Sequence, residues 1–120
     1  MTKIRNSKQK YDLEERTLRF AKRVRRYVRN LPKTSNNIED GKQLIRSSGS
    51  VGANYIEANE AISKKDFRLR IKIARKEAKE SRFWLKLTEP TQAWNREKED
   101  LIKESTELMK IFGSILEKLK

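Results

Sequence analysis

Three long segments of this chain carry apolar or small residues at alternating three- and four-residue steps, and that period is typical of the buried face of an α-helix. The first stripe comprises Leu13, Thr17, Phe20, Val24, Tyr27 and Leu31. The second comprises Phe67, Ile71, Ala74, Ala78, Ser81 and Leu85. The third comprises Leu101, Ser105, Leu108, Phe112, Ile115 and Leu119. The pattern predicts amphipathic helices over residues 12–31, 64–88 and 97–119.

A further helix is predicted over residues 38–61, but its packing face is made largely of small residues. That face comprises Gly41, Ile45, Ser48, Gly49, Gly52, Tyr55, Ile56 and Asn59. An interior glycine costs a helix about 1 kcal/mol relative to alanine, so close contact with another helix must offset these glycines. The alternative is that residues 47–52 form a loop, which would suit an anion. Helical spacing and the small residues Ala74, Ala78 and Ser81 of the next helix favour close packing.

Short polar links separate the predicted helices. Pro32 ends the first helix, because proline disfavours helical geometry in the residue before it. Ser35 and Asn36 are candidate N-caps of the second helix. Ser63 is the predicted N-cap of the third helix, with Asp66 as its partner three residues later. Links this short make consecutive helices antiparallel neighbours.

The last link contains a tryptophan and precedes the fourth helix. Pro90 ends the third helix, and residues 91–96 form either a polar connection or a ragged helix start. Trp94 is expected to cover the end of the bundle rather than to form an exposed interface. The fold class predicted from these patterns is all-α, an antiparallel up-down-up-down four-helix bundle over residues 11–120. Residues 1–10 are basic and lack a period, which favours a flexible arm.

Charge narrows the range of partners. The 120 residues include 30 Lys and Arg against 17 Asp and Glu, a formal net charge of +13 and a pI near 10.2. Such an excess attracts polyanions at long range and points first to RNA, DNA or an anionic membrane surface. No apolar run approaches the roughly 20 residues that span a bilayer, and residues 1–8 lack the apolar core of a signal peptide. We expect a cytoplasmic protein with no membrane partner.

Residue types that commonly carry catalysis are scarce. The chain has no Cys and no His, which excludes disulfides, thiolate metal sites and histidine-based catalysis. Glu57 and Glu60 could face Glu77 and Glu80 across two helices, as carboxylates do in di-iron bundles, but those sites also use His. A polar network that fixes helix register explains these acids better. Its candidate members are Arg and Lys side chains with Asn54, Tyr55 and Asn59. We predict no enzymatic activity, no cofactor and no metal site.

Basic residues align along two of the helices. On the third helix they step by four and three residues, which places them on one edge beside the apolar stripe: Arg68, Lys72, Arg75, Lys79, Arg82 and Lys86. The first helix adds Arg19, Arg23 and Arg26, with Lys22, Arg25 and Arg29 close by. Such a row can follow a phosphate backbone without reading bases. A solvated helix face is the alternative, and the charge imbalance of the whole chain favours nucleic-acid binding.

Several of these segments also resemble a known family. Residues 38–59 include the run Ser47-Ser-Gly-Ser-Val-Gly-Ala-Asn-Tyr-Ile-Glu-Ala-Asn59, and residues 73–85 include Lys76-Glu-Ala-Lys-Glu80. With the Lys-Asp-Phe run at residues 65–67, these motifs are similar to those of bacterial four-helix-bundle proteins encoded in intervening sequences of large-subunit ribosomal RNA genes. The resemblance implies a homopentameric ring without catalytic residues. It extends to the accessory variability determinant of diversity-generating retroelements, a basic pentamer that binds nucleic acid and a reverse transcriptase.

Composition, spacing and resemblance together favour a non-enzymatic, basic, oligomeric protein that binds RNA or DNA through phosphate contacts on its first and third helices. Structured RNA is the preferred ligand. The alternative is an assembly or adaptor module whose basic surface binds an acidic protein, such as a reverse transcriptase. The surplus of apolar residues in the fourth helix is a further argument for a homo-oligomer.

Overall fold

A computed structural model describes residues 7–120, with side chains from residue 12 onward. It contains four α-helices: α1 (Ser7–Arg29), α2 (Ser35–Asn59), α3 (Lys64–Leu87) and α4 (Asn95–Glu117). A single 3-10 turn, Gln92–Trp94, leads into α4. No strand occurs in the described part of the chain, and the predicted all-α class is confirmed.

The helices occupy the corners of a bundle that measures 46 × 22 × 19 Å. Neighbouring pairs are α1 with α2, α2 with α3, α3 with α4, and α1 with α4. Consequently α1 and α3 lie at diagonal corners. This is the predicted up-down-up-down arrangement, and the short links between consecutive helices enforce it.

Three helices begin earlier than predicted, and for α4 the start is Asn95 rather than residue 97. Helix α1 begins at Ser7 rather than at Asp12, so it includes the end of the predicted arm; residues 1–6 lie outside the described part. Helix α2 begins at Ser35, and its N-cap is Thr34, whose hydroxyl accepts a hydrogen bond from Asn37 N at 3.1 Å. The prediction of Ser35 or Asn36 as the cap was therefore wrong. Thr34 has the extended backbone that a cap requires.

The N-terminus of α3 forms as predicted. The hydroxyl of Ser63 accepts a hydrogen bond from the backbone N–H of Asp66 at 3.0 Å, and the Asp66 carboxylate lies in the first turn. Both features offset the unsatisfied amides and the positive end of the helix dipole. The short loop after α2 therefore leads directly into a capped α3.

The three apolar stripes predicted for α1, α3 and α4 are buried at every position. In α2 the prediction was displaced by part of a turn. Ile56 of the predicted face is 49% exposed, whereas Leu44, Val51 and Ala58 are buried. The predicted face followed the edge of α2 that borders α1, because glycine and serine give too little hydrophobic contrast to locate the centre of the buried face.

Helix α2 continues without interruption through residues 47–52, so the loop alternative was wrong. Its glycines approach α1 rather than α3. An added Cβ at Gly52 would lie 3.0 Å from Thr17 Oγ1, and one at Gly41 would lie 3.0 Å from a methyl group of Val28. Toward α3, the close contact is instead a hydrogen bond of 2.9 Å between Ser81 Oγ and Ser47 Oγ, both fully buried.

At one end of the bundle, Asn37 of α2 connects the α1–α2 link to the α3–α4 link. The buried amide of Asn37 donates hydrogen bonds to Pro32 O and Glu89 O, both at 3.0 Å, and its oxygen accepts one from Glu89 N, also at 3.0 Å. Asn37 thereby satisfies backbone groups in both links at once. Nothing in the local sequence spacing indicated this role, because Glu89 is 52 positions away.

Trp94 lies over the same end. Its ring is 6.5 Å from the ring of Tyr27 in an edge-to-face arrangement, which matches the predicted covering role. Beneath it, the hydroxyl groups of Tyr27 and Thr88 share a buried hydrogen bond of 2.8 Å. Burial raises the pKa of Tyr27, and the hydrogen bond to Thr88 acts against that rise.

Candidate nucleic-acid interface

The predicted basic row of α3 lies on the edge that faces α4. Lys72, Arg75, Lys79 and Lys86 are exposed, and the row is flanked by a shallow open groove between the two helices. The lining of that groove comprises Lys72, Arg75, Lys76, Lys79, Arg82, Thr106, Met109 and Lys110. We refer to the exposed and half-buried cations of this row, residues 68–86, as the α3 surface. Spacing of three and four residues brings these side chains to one edge, as the sequence predicted.

Three arginines of the α3 surface lie against α4 or the residues that follow it. Arg82 Nη1 donates a hydrogen bond to Thr106 Oγ1 at 3.2 Å, and Arg68 Nη2 donates one to Leu119 O at 3.0 Å. Arg75 Nη1 lies 3.7 Å from the position that a Cβ would take at Gly113. These contacts orient the arginines with neutral partners and leave their charge uncompensated.

No cation of the α3 surface forms an ion pair with a carboxylate of the described residues. Lys76 and Lys110 add two further exposed ammonium groups to the groove. Sequence reasoning did not assign either of them, because Lys110 belongs to another helix and Lys76 lies outside the row. Among the described residues, the α3 wall of the groove therefore presents unpaired positive charge, whereas Lys110 on the α4 wall pairs with Glu107 at 3.5 Å.

Helix α1 carries a second group of cations, which we call the α1 surface. Its members are Arg19, Lys22, Arg25, Arg26 and Arg29, all of them exposed. None of the five forms an ion pair within the described part of the chain. The side chain of Arg25 donates a long hydrogen bond of 3.4 Å to Ala21 O, one turn earlier in α1.

Arg23, which the sequence grouped with Arg19 and Arg26, is engaged differently. Its guanidinium donates two hydrogen bonds to the carboxylate of Glu97 in α4, at 3.2 and 3.0 Å. Arg16 forms the equivalent pair with Glu104 at 2.7 and 2.9 Å. Hydrogen bonding to these carboxylates raises the pKa of both arginines. Arg23 thus lies at the seam between α1 and α4, with its charge balanced there.

The carboxylates considered for a metal site do not converge. Arg46 reaches Glu77 Oε1 at 3.4 Å and Glu80 Oε1 at 2.9 Å, while Glu57 and Glu60 are exposed elsewhere. Among the described residues, no three carboxylates come close enough to share a metal ion. Glu77 and Glu80 instead hold α2 against α3.

Amide side chains of α2 extend this polar network. Asn54 accepts a hydrogen bond from Arg70 of α3 at 3.1 Å, and Asn59 donates one to Glu14 of α1 at 2.7 Å. The two amides therefore tie α2 to both of its neighbours. These contacts identify the partners of Asn54 and Asn59 in the predicted polar network, which residue spacing alone could not do.

Exposed apolar side chains lie at both ends of the outer side of α3, with Leu69 near its start and Phe83 and Leu87 near its end. Leu69, Phe83 and Leu87 are each about half exposed, at 53%, 56% and 46%. Phe83 also packs edge-to-face on Trp84, with ring centres 5.1 Å apart. The sequence pattern suggested that Leu87 widens the buried face, which was wrong, and it did not single out Leu69 or Phe83. Ile38 and Ile56 of α2 are also exposed, at 42% and 49%.

None of the helices in the described residues is both long enough and apolar enough to cross a bilayer. The fold and the surfaces described above place the protein in the class of strongly basic four-helix bundles. Within that class the chain belongs to the 23S rRNA-intervening sequence protein family, whose model matches residues 9–114. This match confirms the family resemblance found in the motifs of α2 and α3.

A solved structure gives the same assignment. The chain is similar to a crystal structure of a protein of unknown function from the S23 ribosomal protein family of Bacteroides thetaiotaomicron, with 36% identity and a TM-score of 0.75. The alignment covers 86% of this chain and 96% of that one. None of the curated proteins compared with the chain matches it.

Proposed function

We propose that this protein binds structured RNA through phosphate contacts of the α3 surface and the α1 surface, and that it does so in the cytoplasm without catalysing a reaction. The observation that carries the proposal is the row of exposed lysines and arginines on α3 that have no carboxylate partner in the described residues. Uncompensated charge at this density repels itself, and a polyanion relieves that repulsion.

The chemistry of the α3 surface suits phosphate groups better than base edges. The groove beside it contains ammonium and guanidinium groups, one hydroxyl and one methionine, and no aromatic ring on which a base could stack. Contacts of this kind position a nucleic acid without reading its sequence. The family is described by its relation to 23S rRNA, and this favours RNA over DNA as the ligand.

A charge-reversal experiment tests the proposal. The triple variant Lys72→Glu, Arg75→Glu and Lys79→Glu removes the centre of the α3 surface and avoids Arg68 and Arg82, whose side chains donate hydrogen bonds to Leu119 O and Thr106. We expect its affinity for a structured RNA in a mobility-shift assay to fall at least tenfold.

The matched control reverses three exposed lysines outside the groove, Lys42, Lys64 and Lys118, which changes the net charge by the same amount. We expect this control to bind RNA more tightly than the α3 variant. Equal losses in both variants would show that only total charge matters, and no binding by the wild type near physiological salt would refute the proposal.

Self-association is part of the proposed function. Helices α2 and α3 carry several large apolar side chains that are about half exposed. Exposed apolar patches often mark interaction sites, so a second copy of the chain could cover these residues. The family resemblance implies a homopentamer. Light scattering at micromolar concentration is expected to give the mass of an oligomer. The mass of a monomer at that concentration would contradict self-association.

An adaptor function is the second candidate, in which the same basic surface binds an acidic protein such as a reverse transcriptase. The exposed pair Phe83 and Leu87 beside the cations favours it, because protein interfaces combine an apolar centre with a charged rim. A pull-down with and without nuclease separates the two functions. A protein partner that survives nuclease treatment supports the adaptor, and loss of all partners supports RNA binding.

A further inference from the structure

Phe83 carries an accessible aromatic ring next to the cations of the α3 surface. The residue is 56% exposed. Among the side chains that the structure describes, from residue 12 onward, no other aromatic residue is exposed. A single exposed apolar side chain is common on protein surfaces, so the surroundings of Phe83 decide what its ring can contact.

Trp84 orients the ring of Phe83. The two rings meet edge-to-face, with centres 5.1 Å apart and planes inclined by 74°. Trp84 is itself half-buried and packs against the core of the bundle. Because this contact restricts the ring in advance, Phe83 loses little conformational freedom when a further flat group stacks on it.

Free ammonium groups surround the ring. Lys79 precedes Phe83 by four residues and Lys86 follows it by three, so both are its neighbours on the surface of α3. Both lysines are exposed, and neither pairs with a carboxylate of the described residues. The acid one turn before the ring, Glu80, is already bound by Arg46 at 2.9 Å. The charge around Phe83 is therefore positive.

An accessible ring among free cations fits a ligand that carries negative charge and a flat apolar face in one unit. A nucleotide has both, in its phosphate and its base, whereas a carboxylate side chain supplies only the charge. At a rise of about 1.5 Å per residue, Lys86 and Lys79 lie about 4.5 and 6 Å from Phe83 along the helix axis. One nucleotide spans such a distance between its phosphate and its base.

We infer that Phe83 stacks on an unpaired base of the RNA whose phosphates bind the α3 surface. Bases inside a paired stem are covered by their neighbours, so only those of loops, bulges and ends can stack on a protein ring. The preferred ligand therefore has a loop or bulge beside a paired stem. The inference rests on the proposed function, because it requires RNA phosphates at the α3 surface. It assigns Phe83 to RNA and leaves Leu69, Ile38 and Ile56 for contacts between copies of the chain.

Two RNAs and two substitutions test this inference. One RNA is a hairpin with an unpaired loop, and the other is a blunt duplex with the same number of phosphates. Phe83→Leu keeps an apolar side chain but removes the aromatic face, whereas Phe83→Tyr keeps that face. Affinities are measured by titration at one salt concentration. Circular dichroism and light scattering compare the helix content and the mass of both variants with those of the wild type.

We expect the wild type to bind the hairpin at least fivefold more tightly than the duplex, because stacking of one base on an aromatic side chain strengthens binding by roughly fivefold to a hundredfold. Phe83→Leu should lower the affinity for the hairpin at least fivefold and the affinity for the duplex less than twofold. Phe83→Tyr should bind both RNAs like the wild type.

Equal affinity of the wild type for the two RNAs would overturn the inference and leave the proposed function intact. Hairpin binding by Phe83→Leu equal to that of the wild type would also overturn it and would leave Phe83 to the adaptor function. The same conclusion against stacking follows if Phe83→Leu weakens both RNAs equally, if Phe83→Tyr loses hairpin affinity, or if Phe83→Leu has a lower mass, which would place Phe83 between copies. Failure of the wild type to bind either RNA would refute both the inference and the proposed function.

Discussion

The glycines of α2 illustrate how a single missing methyl group sets the distance between two helices. At Gly52 an added Cβ would lie 3.0 Å from Thr17 Oγ1 and 3.2 Å from Thr17 Cβ. Thr17 cannot move aside easily, because it is buried and its hydroxyl donates a hydrogen bond to Leu13 O at 2.8 Å. At Gly113 the nearest atom is the end of a flexible arginine, 3.7 Å away.

These two glycines therefore make a matched pair. Gly113→Ala should stabilise the protein by about 0.5–1 kcal/mol, because alanine favours the helix and meets only ordinary contact. Gly52→Ala gains the same helix preference but overpacks the interface with α1, and we expect a net destabilisation of about 1–2 kcal/mol. Urea denaturation of both variants measures the difference. A Gly52→Ala protein at least as stable as the wild type would show that α1 and α2 can separate freely.

Because of Tyr27, the free energy of unfolding is expected to depend on pH in the alkaline range. Burial raises the pKa of its phenol in the folded state, so the folded protein holds this proton more tightly than the unfolded chain. The resulting stability is fully present below the unfolded pKa of about 10 and is lost as pH rises beyond it.

Substitution of Tyr27 by Phe removes both the ionisable group and the hydrogen bond to Thr88. We expect the variant to be less stable by about 0.5–1.5 kcal/mol near neutral pH, and this deficit to shrink above pH of about 10. Thr88 Oγ1 keeps a partner, since it also donates to Leu85 O at 2.7 Å. Denaturation curves of both proteins at neutral and alkaline pH provide the test, and a deficit that stays constant would argue against the buried phenol.

At the scale of the helices, α1 joins α4 through two bidentate ion pairs, and this seam distinguishes two arginines that look alike in sequence. Arg23 binds Glu97, and both side chains are only about a quarter exposed, at 26% and 22%. Arg26 is exposed and lies on the α1 surface. One arginine therefore contributes to the packing of helices and the other to the charge of the surface.

The variants Arg23→Gln and Arg26→Gln should separate these roles. We expect Arg23→Gln to lose about 1 kcal/mol of unfolding free energy, at the upper end for partly exposed ion pairs, with little change in RNA affinity. For Arg26→Gln we expect unchanged stability within about 0.5 kcal/mol and weaker RNA binding. The two properties are measured by denaturation and by RNA titration. The reverse assignment of the two effects would contradict the geometry of the seam.

Much of this architecture could be predicted from the sequence, and the exceptions have physical reasons. The faces of α1, α3 and α4 carry apolar residues at regular helical spacing, and every position of the three predicted stripes is buried. The face of α2 was displaced because Gly41, Ser48 and Gly52 carry little hydrophobic signal. Likewise the α3 surface follows from spacing within one helix, whereas the pairing of Arg23 with Glu97 depends on which helices become neighbours.

For the whole molecule, net charge and its distribution have separate consequences. A formal charge of +13 supports binding to many polyanions. Among the described residues, the concentration of unpaired cations on the α3 surface and on the α1 surface makes the proposed binding local. A randomly distributed charge of the same size would not predict different results for the two charge-matched variants.

The salt dependence of RNA binding tests the role of the α3 surface most directly. Removing one cation that neutralises a phosphate should reduce the slope of log affinity against log salt concentration by about 0.7–0.9. We expect the triple reversal of Lys72, Arg75 and Lys79 to lower the slope by about 2–3 relative to the wild type, and the control reversal of Lys42, Lys64 and Lys118 to leave it nearly unchanged. Equal slopes for the wild type and the α3 variant would contradict phosphate binding at this surface.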